Sequence, residues 1–136
     1  MSLWYIDLKK CRVNIKEFLK NLKRNFGDIG IKIDSSYIDI EKISLQELED
    51  SRHISLDWVG YMAKVDNTDW YLSVQVYDPY EGIDPDIIKV LEIATEYLKP
   101  KTYHILDEAQ GPQYQFEGKW DLEYFMKEIK PKIGWT

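Results

Sequence analysis

Apolar side chains recur along this chain in two distinct periods, and the switching between them predicts an α+β fold. Ile15, Phe18, Leu19, Leu22 and Phe26 fall three and four apart, the spacing that lines one side of a helix. Asn14 and Glu17 stand as a cap pair at the start of this stretch and Gly27 as its stop, so its lysines are left to water. Ile29, Ile31 and Ile33 alternate instead, as do Ile38 and Ile40 beyond Ser35-Ser36, which predicts strand, turn and strand. Ser44 with Glu47 predicts a capping box, opening a helix of two turns at most that carries Leu45 and Leu48.

The strongest strand signal runs from Ile54 to Val65. Asp66 to Asp69 then reads as a turn, and Trp70 to Tyr77 returns as the second arm of a hairpin. Alternation turns Trp70, Leu72, Val74 and Val76 to the core and leaves Tyr71, Ser73, Gln75 and Tyr77 on the other face. Gly60, inside that signal, suggests a bulge or a close contact. Leu3 to Leu8 reads as an edge strand. Asp84-Pro85 is an N-cap with proline at the first helical position; the helix places Ile87, Ile88, Leu91, Ala94, Tyr97 and Leu98 on one side and stops at Lys99-Pro100. Tyr103, Ile105 and Leu106 form a further strand, Gly111-Pro112 turns the chain, and Tyr114 and Phe116 form the last strand. Asp121 caps a closing helix that Pro131 ends, with Leu122, Phe125, Met126 and Ile129 inward. The expectation is a single α+β domain over residues 1–136. Its sheet is mixed but mainly antiparallel, with about three helices packed on it. One β-α-β crossover joins the strand ending at Tyr77 to the strand starting at Thr102.

Composition narrows the classes. A length of 136 residues with 44% hydrophobic side chains suffices for a core without metal or disulfide staples. No apolar run approaches a membrane span, and residues 1–10 show no secretory signal. The single cysteine, Cys11, cannot form an internal disulfide, so a reducing cytoplasm is the expected location. No His-x-x-x-His, cysteine pair, glycine-rich phosphate loop or Gly-x-Ser-x-Gly is present, so no catalytic residue, metal or cofactor is assigned. His53 and His104 read as strand residues with satisfied hydrogen bonds. Trp4, Trp58 and Trp70 fall in strand patterns and read as core, whereas Trp120 and Trp135, beside lysines, are less easily buried.

Charge changes the picture most. Residues 1–33 hold eight basic and three acidic side chains, whereas residues 34–86 hold three basic and thirteen acidic. Such a middle block repels phosphate backbones and attracts basic surfaces, and the basic first helix reads as a solvated face, so direct nucleic-acid binding by this chain is not expected. If the crossover forms, two strand ends share one edge of the sheet, the place where ligands tend to bind. That edge would gather Tyr77, Asp78, Tyr80, Glu81, Asp84 and Asp86 from one strand end, and Asp107 and Glu108 from the other. Carboxylates mixed with tyrosines suit a basic protein partner. The expected function is a non-catalytic binding module: an inhibitor or immunity-type protein that neutralises a basic partner such as a nuclease toxin. Small, acidic and aromatic-rich, the chain is similar in composition to bacterial toxin-immunity proteins. Two alternatives stand beside this one. The first is a divalent-metal enzyme using Asp78, Glu81, Asp107 and Glu108. The second is an assembly protein, homodimeric through an exposed strand edge and a Trp-rich surface.

Overall fold

The computed structural model describes residues 2–12, 14–27, 29–33, 35–51, 53–58, 61–66, 71–110 and 114–136, with residues 53, 57, 58 and 61–66 described in their backbone alone. Eight strands form one sheet: β1 (Leu3–Lys9), β2 (Gly30–Ile33), β3 (Ser36–Tyr37), β4 (His53–Trp58), β5 (Tyr61–Asp66), β6 (Tyr71–Tyr77), β7 (Thr102–Asp107) and β8 (Tyr114–Lys119). Their order is β3-β2-β4-β5-β6-β1-β7-β8, and every neighbouring pair is antiparallel. The helices are α1 (Ile15–Phe26), α2 (Leu45–Asp50), α3 (Pro85–Tyr97) and a closing run over residues 122–132, here α4. The fold is α+β, as the two periodicities predict.

The crossover forms, with a strand inserted. β6 and β7 each pair antiparallel with β1, so they run parallel to one another on its two sides, joined through α3. β1 is therefore a central strand and not the edge its short sequence suggests. Its partners lie some 70 and 100 positions away, where no local pattern could announce them, and pairing on both sides explains why Trp4, Ile6 and Leu8 are all buried. The 54–65 signal also divides. β4 and β5 pair with each other, Leu56 opposite Ala63, and β5 then pairs with β6. The predicted hairpin is the second of these pairings; Gly60, Trp70 and the turn over 67–69 lie outside the described residues. Ile38 and Ile40 do not extend β3, which ends at Tyr37; Ile40 is buried from a turn instead.

All four helices pack on one face. Leu22 of α1, Leu48 of α2, Leu91 of α3 and Phe125 and Ile129 of α4 join Ile6, Leu8, Leu72, Val74 and Ile105 in one core cluster. Helix starts follow the sequence. The Ser44 hydroxyl accepts from Glu47 N–H, Asp84 from Asp86 N–H and Asp121 from Tyr124 N–H. Asn14 is the exception: its ψ of 48° departs from the extended geometry of a capping residue, and its side chain makes no cap bond. Pro131 does not end α4. A π turn over Phe125–Ile129 precedes it, and helix continues through Lys132; widening the turn spares the chain the i−4 bond that proline cannot make.

The closing tryptophans are core residues after all. Trp120 packs against Tyr103 and Phe125, and its indole N–H donates to Thr95 Oγ1 at 3.0 Å. Trp135 stands edge-on to Trp4 at 5.5 Å and is 1% exposed. The neighbouring Lys119 and Lys132 are exposed while the rings turn inward, so Trp4, Trp120 and Trp135 offer no surface for a dimer. No helix among the described residues is long and apolar enough to cross a membrane.

Candidate functional site

The C-terminal ends of β6 and β7 both meet the start of β1. Leu3 lies opposite Tyr77, and Trp4 opposite Asp107. Two strand spacings, about 10 Å, separate the two ends. The topology thus brings the loop after β6, the start of α3 and the turn after β7 to one end of the sheet, and every predicted edge carboxylate sits there. Three of them have local tasks. Asp78, in the left-handed region at φ 46°, accepts from Ser2 N–H at 2.6 Å and anchors the start of β1. Asp84 caps α3, and Asp107 Oδ1 accepts from Ala109 N–H, closing the turn after β7. Glu81, Asp86 and Glu108 are exposed, and among the described residues none of the three side chains is hydrogen-bonded or ion-paired.

The two predicted tyrosines separate. Tyr80 is 50% exposed at this end, its ring edge-on to Trp4 at 5.9 Å. The C-terminal residues hold its loop: Thr136 N–H donates to Pro79 O, and Ile83 N–H donates to Thr136 O. Tyr77 turns away onto the sheet face, where its hydroxyl donates to Gln75 Oε1 at 3.0 Å. Among the described residues no three His, Cys, Asp or Glu side chains approach closely enough to hold a metal ion.

A second surface was not anticipated. The sheet face opposite the helices carries Tyr5, Asp7 and Lys9 of β1, Tyr71, Ser73, Gln75 and Tyr77 of β6, and Thr102, His104 and Leu106 of β7, all half-buried. Register aligns Ser73, Asp7, His104 and Glu117 in one row across four strands. Burial raises the Asp7 carboxyl above its usual range, against the lowering effects of the Ser73 hydroxyl, Lys9 and His104. Burial and the charge of Lys9 lower His104, with Glu117 and Asp7 opposing. Asp7 Oδ1 and His104 Nδ1 are both buried without a hydrogen-bond partner, so His104 is not the satisfied strand residue its sequence setting suggests. The row cannot run a serine relay. The Ser73 hydroxyl bonds the carboxylate, and the imidazole lies one strand beyond it, whereas the relay needs imidazole between the two.

Beside this row a cleft of about 500 Å³ is lined by Lys9, Lys10, Thr102, Tyr103, His104, Glu117 and Gly118. Lys9 Nζ lies 5.6 Å from the Tyr71 ring centre and 5.8 Å from that of Tyr114, and Tyr114 packs on His104 at 3.9 Å. Alternation marks these residues as outward-facing, but nothing local in the sequence shows that they meet. Cys11 is no part of it: its thiol donates to Leu8 O, and burial pushes it up to about 11, out of thiolate range at neutral pH.

No protein-family model, curated protein or solved structure matches the chain.

Proposed function

We propose that the chain is a non-catalytic binding module that engages a basic protein partner through the acidic end of its sheet. The reading is carried by one observation: Glu81 and Asp86 from the stretch after β6, and Glu108 from the turn after β7, stand exposed and without hydrogen-bond or ion-pair partners among the described residues at the end where β6 and β7 finish. Their carboxylates supply steering, and the half-exposed Tyr80 beside them supplies a rigid contact surface. Asp78, Asp84 and Asp107 hold the loops in shape through backbone hydrogen bonds and add to the negative potential. A partner with a cationic cleft fits best, and a nuclease toxin is the kind of protein that has one; the module then acts as an inhibitor of immunity type, by occupying that cleft. A reducing cytoplasm suits its unpaired Cys11.

The test is a paired capture from the source's own lysate with the native chain and with a Glu81→Lys/Asp86→Lys/Glu108→Lys triple variant. A basic protein retained by the first and lost by the second is expected, with an on-rate that falls steeply with salt. Equal retention by both chains removes the acidic end from the function.

A further inference from the structure

At the opposite end of the sheet six cations gather, with the exposed Asp121 just beyond the end of β8. β1 finishes at Lys9 and leads into Lys10 and Arg12; Lys99 and Lys101 lead into β7, and Lys119 finishes β8. Backbone bonds stitch these segments together: Arg12 N–H donates to Leu98 O, Lys101 N–H to Lys9 O and Trp120 N–H to Lys101 O. Five of the six cations are exposed, and among the described residues none of the six is ion-paired. The sequence scatters them over more than a hundred positions, and only the fold collects them.

Two of them stand where a lysine is unfavourable. Lys10 and Lys99 have φ of 55° and 48°, the left-handed region that is unfavourable for any side chain and easiest for glycine. Both positions tolerate that cost and place a cation at the same end of the molecule.

We propose that this basic end, with the adjoining open sheet face, binds single-stranded nucleic acid. The cations supply contacts to successive phosphates, and the cleft beside Lys9 is of nucleotide size. Tyr114, 45% exposed, packs on His104 and lies 5.8 Å from Lys9 Nζ, two residues that line the cleft, and its exposed surface is where a base can stack, the combination of charge and aromatic surface that holds single strands. Glu117, 3.7 Å from His104 Nε2, also lines the cleft, and its carboxylate disfavours a phosphate beside it. The overall negative charge is no obstacle. The acidic end is about 20 Å away along β1, more than two Debye lengths at physiological salt. Charge alone would suit an acidic protein as well; the nucleotide-sized cleft beside the exposed Tyr114 favours nucleic acid, and competition by polyglutamate distinguishes the two.

The experiment is a fluorescence anisotropy titration of labelled oligothymidylate, about 12 nucleotides long, into the full chain at low and physiological salt. Micromolar binding at low salt is expected, weakening with a log–log salt slope of about −2 to −4 for three to six phosphates. Lys10→Glu with Lys101→Glu should weaken binding at least about tenfold, as should Lys119→Glu in a separate, fully exposed variant. Tyr114→Leu should weaken it about tenfold without changing the slope, while Glu81→Lys with Glu108→Lys leaves it intact or tightens it. Absence of binding, indifference to the lysine reversals, or indifference to Tyr114→Leu overturns the proposal. So does displacement of the oligonucleotide by inorganic tripolyphosphate or polyglutamate at equal charge, since that marks a surface for anions in general or for acidic proteins. None of these outcomes bears on the acidic end.

Discussion

Asp7 lies in the middle of the open face, opposite Ser73 on one side and His104 on the other, with one carboxylate oxygen buried and unpartnered. Because burial raises its folded value, the folded chain holds this proton more tightly than the unfolded chain does. Stability is therefore lost as pH rises from below 3.8 through the folded value, and the loss persists at neutral pH. Asp7→Asn should raise the unfolding free energy at pH 7 by roughly 1 kcal/mol, since the amide is uncharged and can donate toward His104. Urea denaturation repeated below pH 3.8 should show the gain disappear, because there both chains are neutral at this position. A gain independent of pH would mean that packing, and not charge, is the cause. Trp135 tests another aspect of the same scale. Its ring closes the core against Trp4 and Phe125, so Trp135→Ala should cost about 3–5 kcal/mol by the same assay.

At the scale of elements, what could be read from the sequence was what neighbours in sequence decide. Ser44, Asp84 and Asp121 announce three helix starts, and Leu72, Val74 and Val76 face the core as their alternation requires. The edge carboxylates could be placed at one end because a single topological inference, the crossover through α3, sufficed. What could not be read was anything fixed by pairing at a distance. The central position of β1, the division of 54–65 into two strands, and the row from Ser73 to Glu117 all depend on register between strands far apart in sequence. The end of α3 bears a prediction of its own. Lys99 follows the last helical turn in the left-handed conformation, with its N–H directed to Ala94 O, where glycine is the usual residue. Lys99→Gly should stabilise the chain by about 0.5–1 kcal/mol in thermal or urea unfolding. The same substitution should weaken oligonucleotide binding, so one variant separates what the backbone prefers from what the surface needs.

Taken whole, the molecule gathers six carboxylates at one end of its sheet and six cations at the other, and its net charge of −6 describes neither. The arrangement follows from chain direction. β6, which ends in the acidic block, and β7 both finish at one end of the sheet, while β1 finishes with its lysines at the other. Within a Debye length of either pole the near charges set the potential, so the two ends should behave as surfaces of opposite sign even though they belong to one small protein. A uniformly acidic protein of this net charge would be held by an anion exchanger and pass through a cation exchanger at neutral pH. This chain should be held by both at low salt. Lys10→Glu with Lys101→Glu should abolish retention on the sulfonate resin and strengthen it on the quaternary amine. Glu81→Lys with Glu108→Lys should do the reverse, because each pair belongs to one pole. Passage of the native chain straight through the sulfonate column would show that its cations do not act together, and the capture of phosphates at that end would lose its physical basis; passage through the quaternary amine column would do the same for the steering of a basic partner at the other.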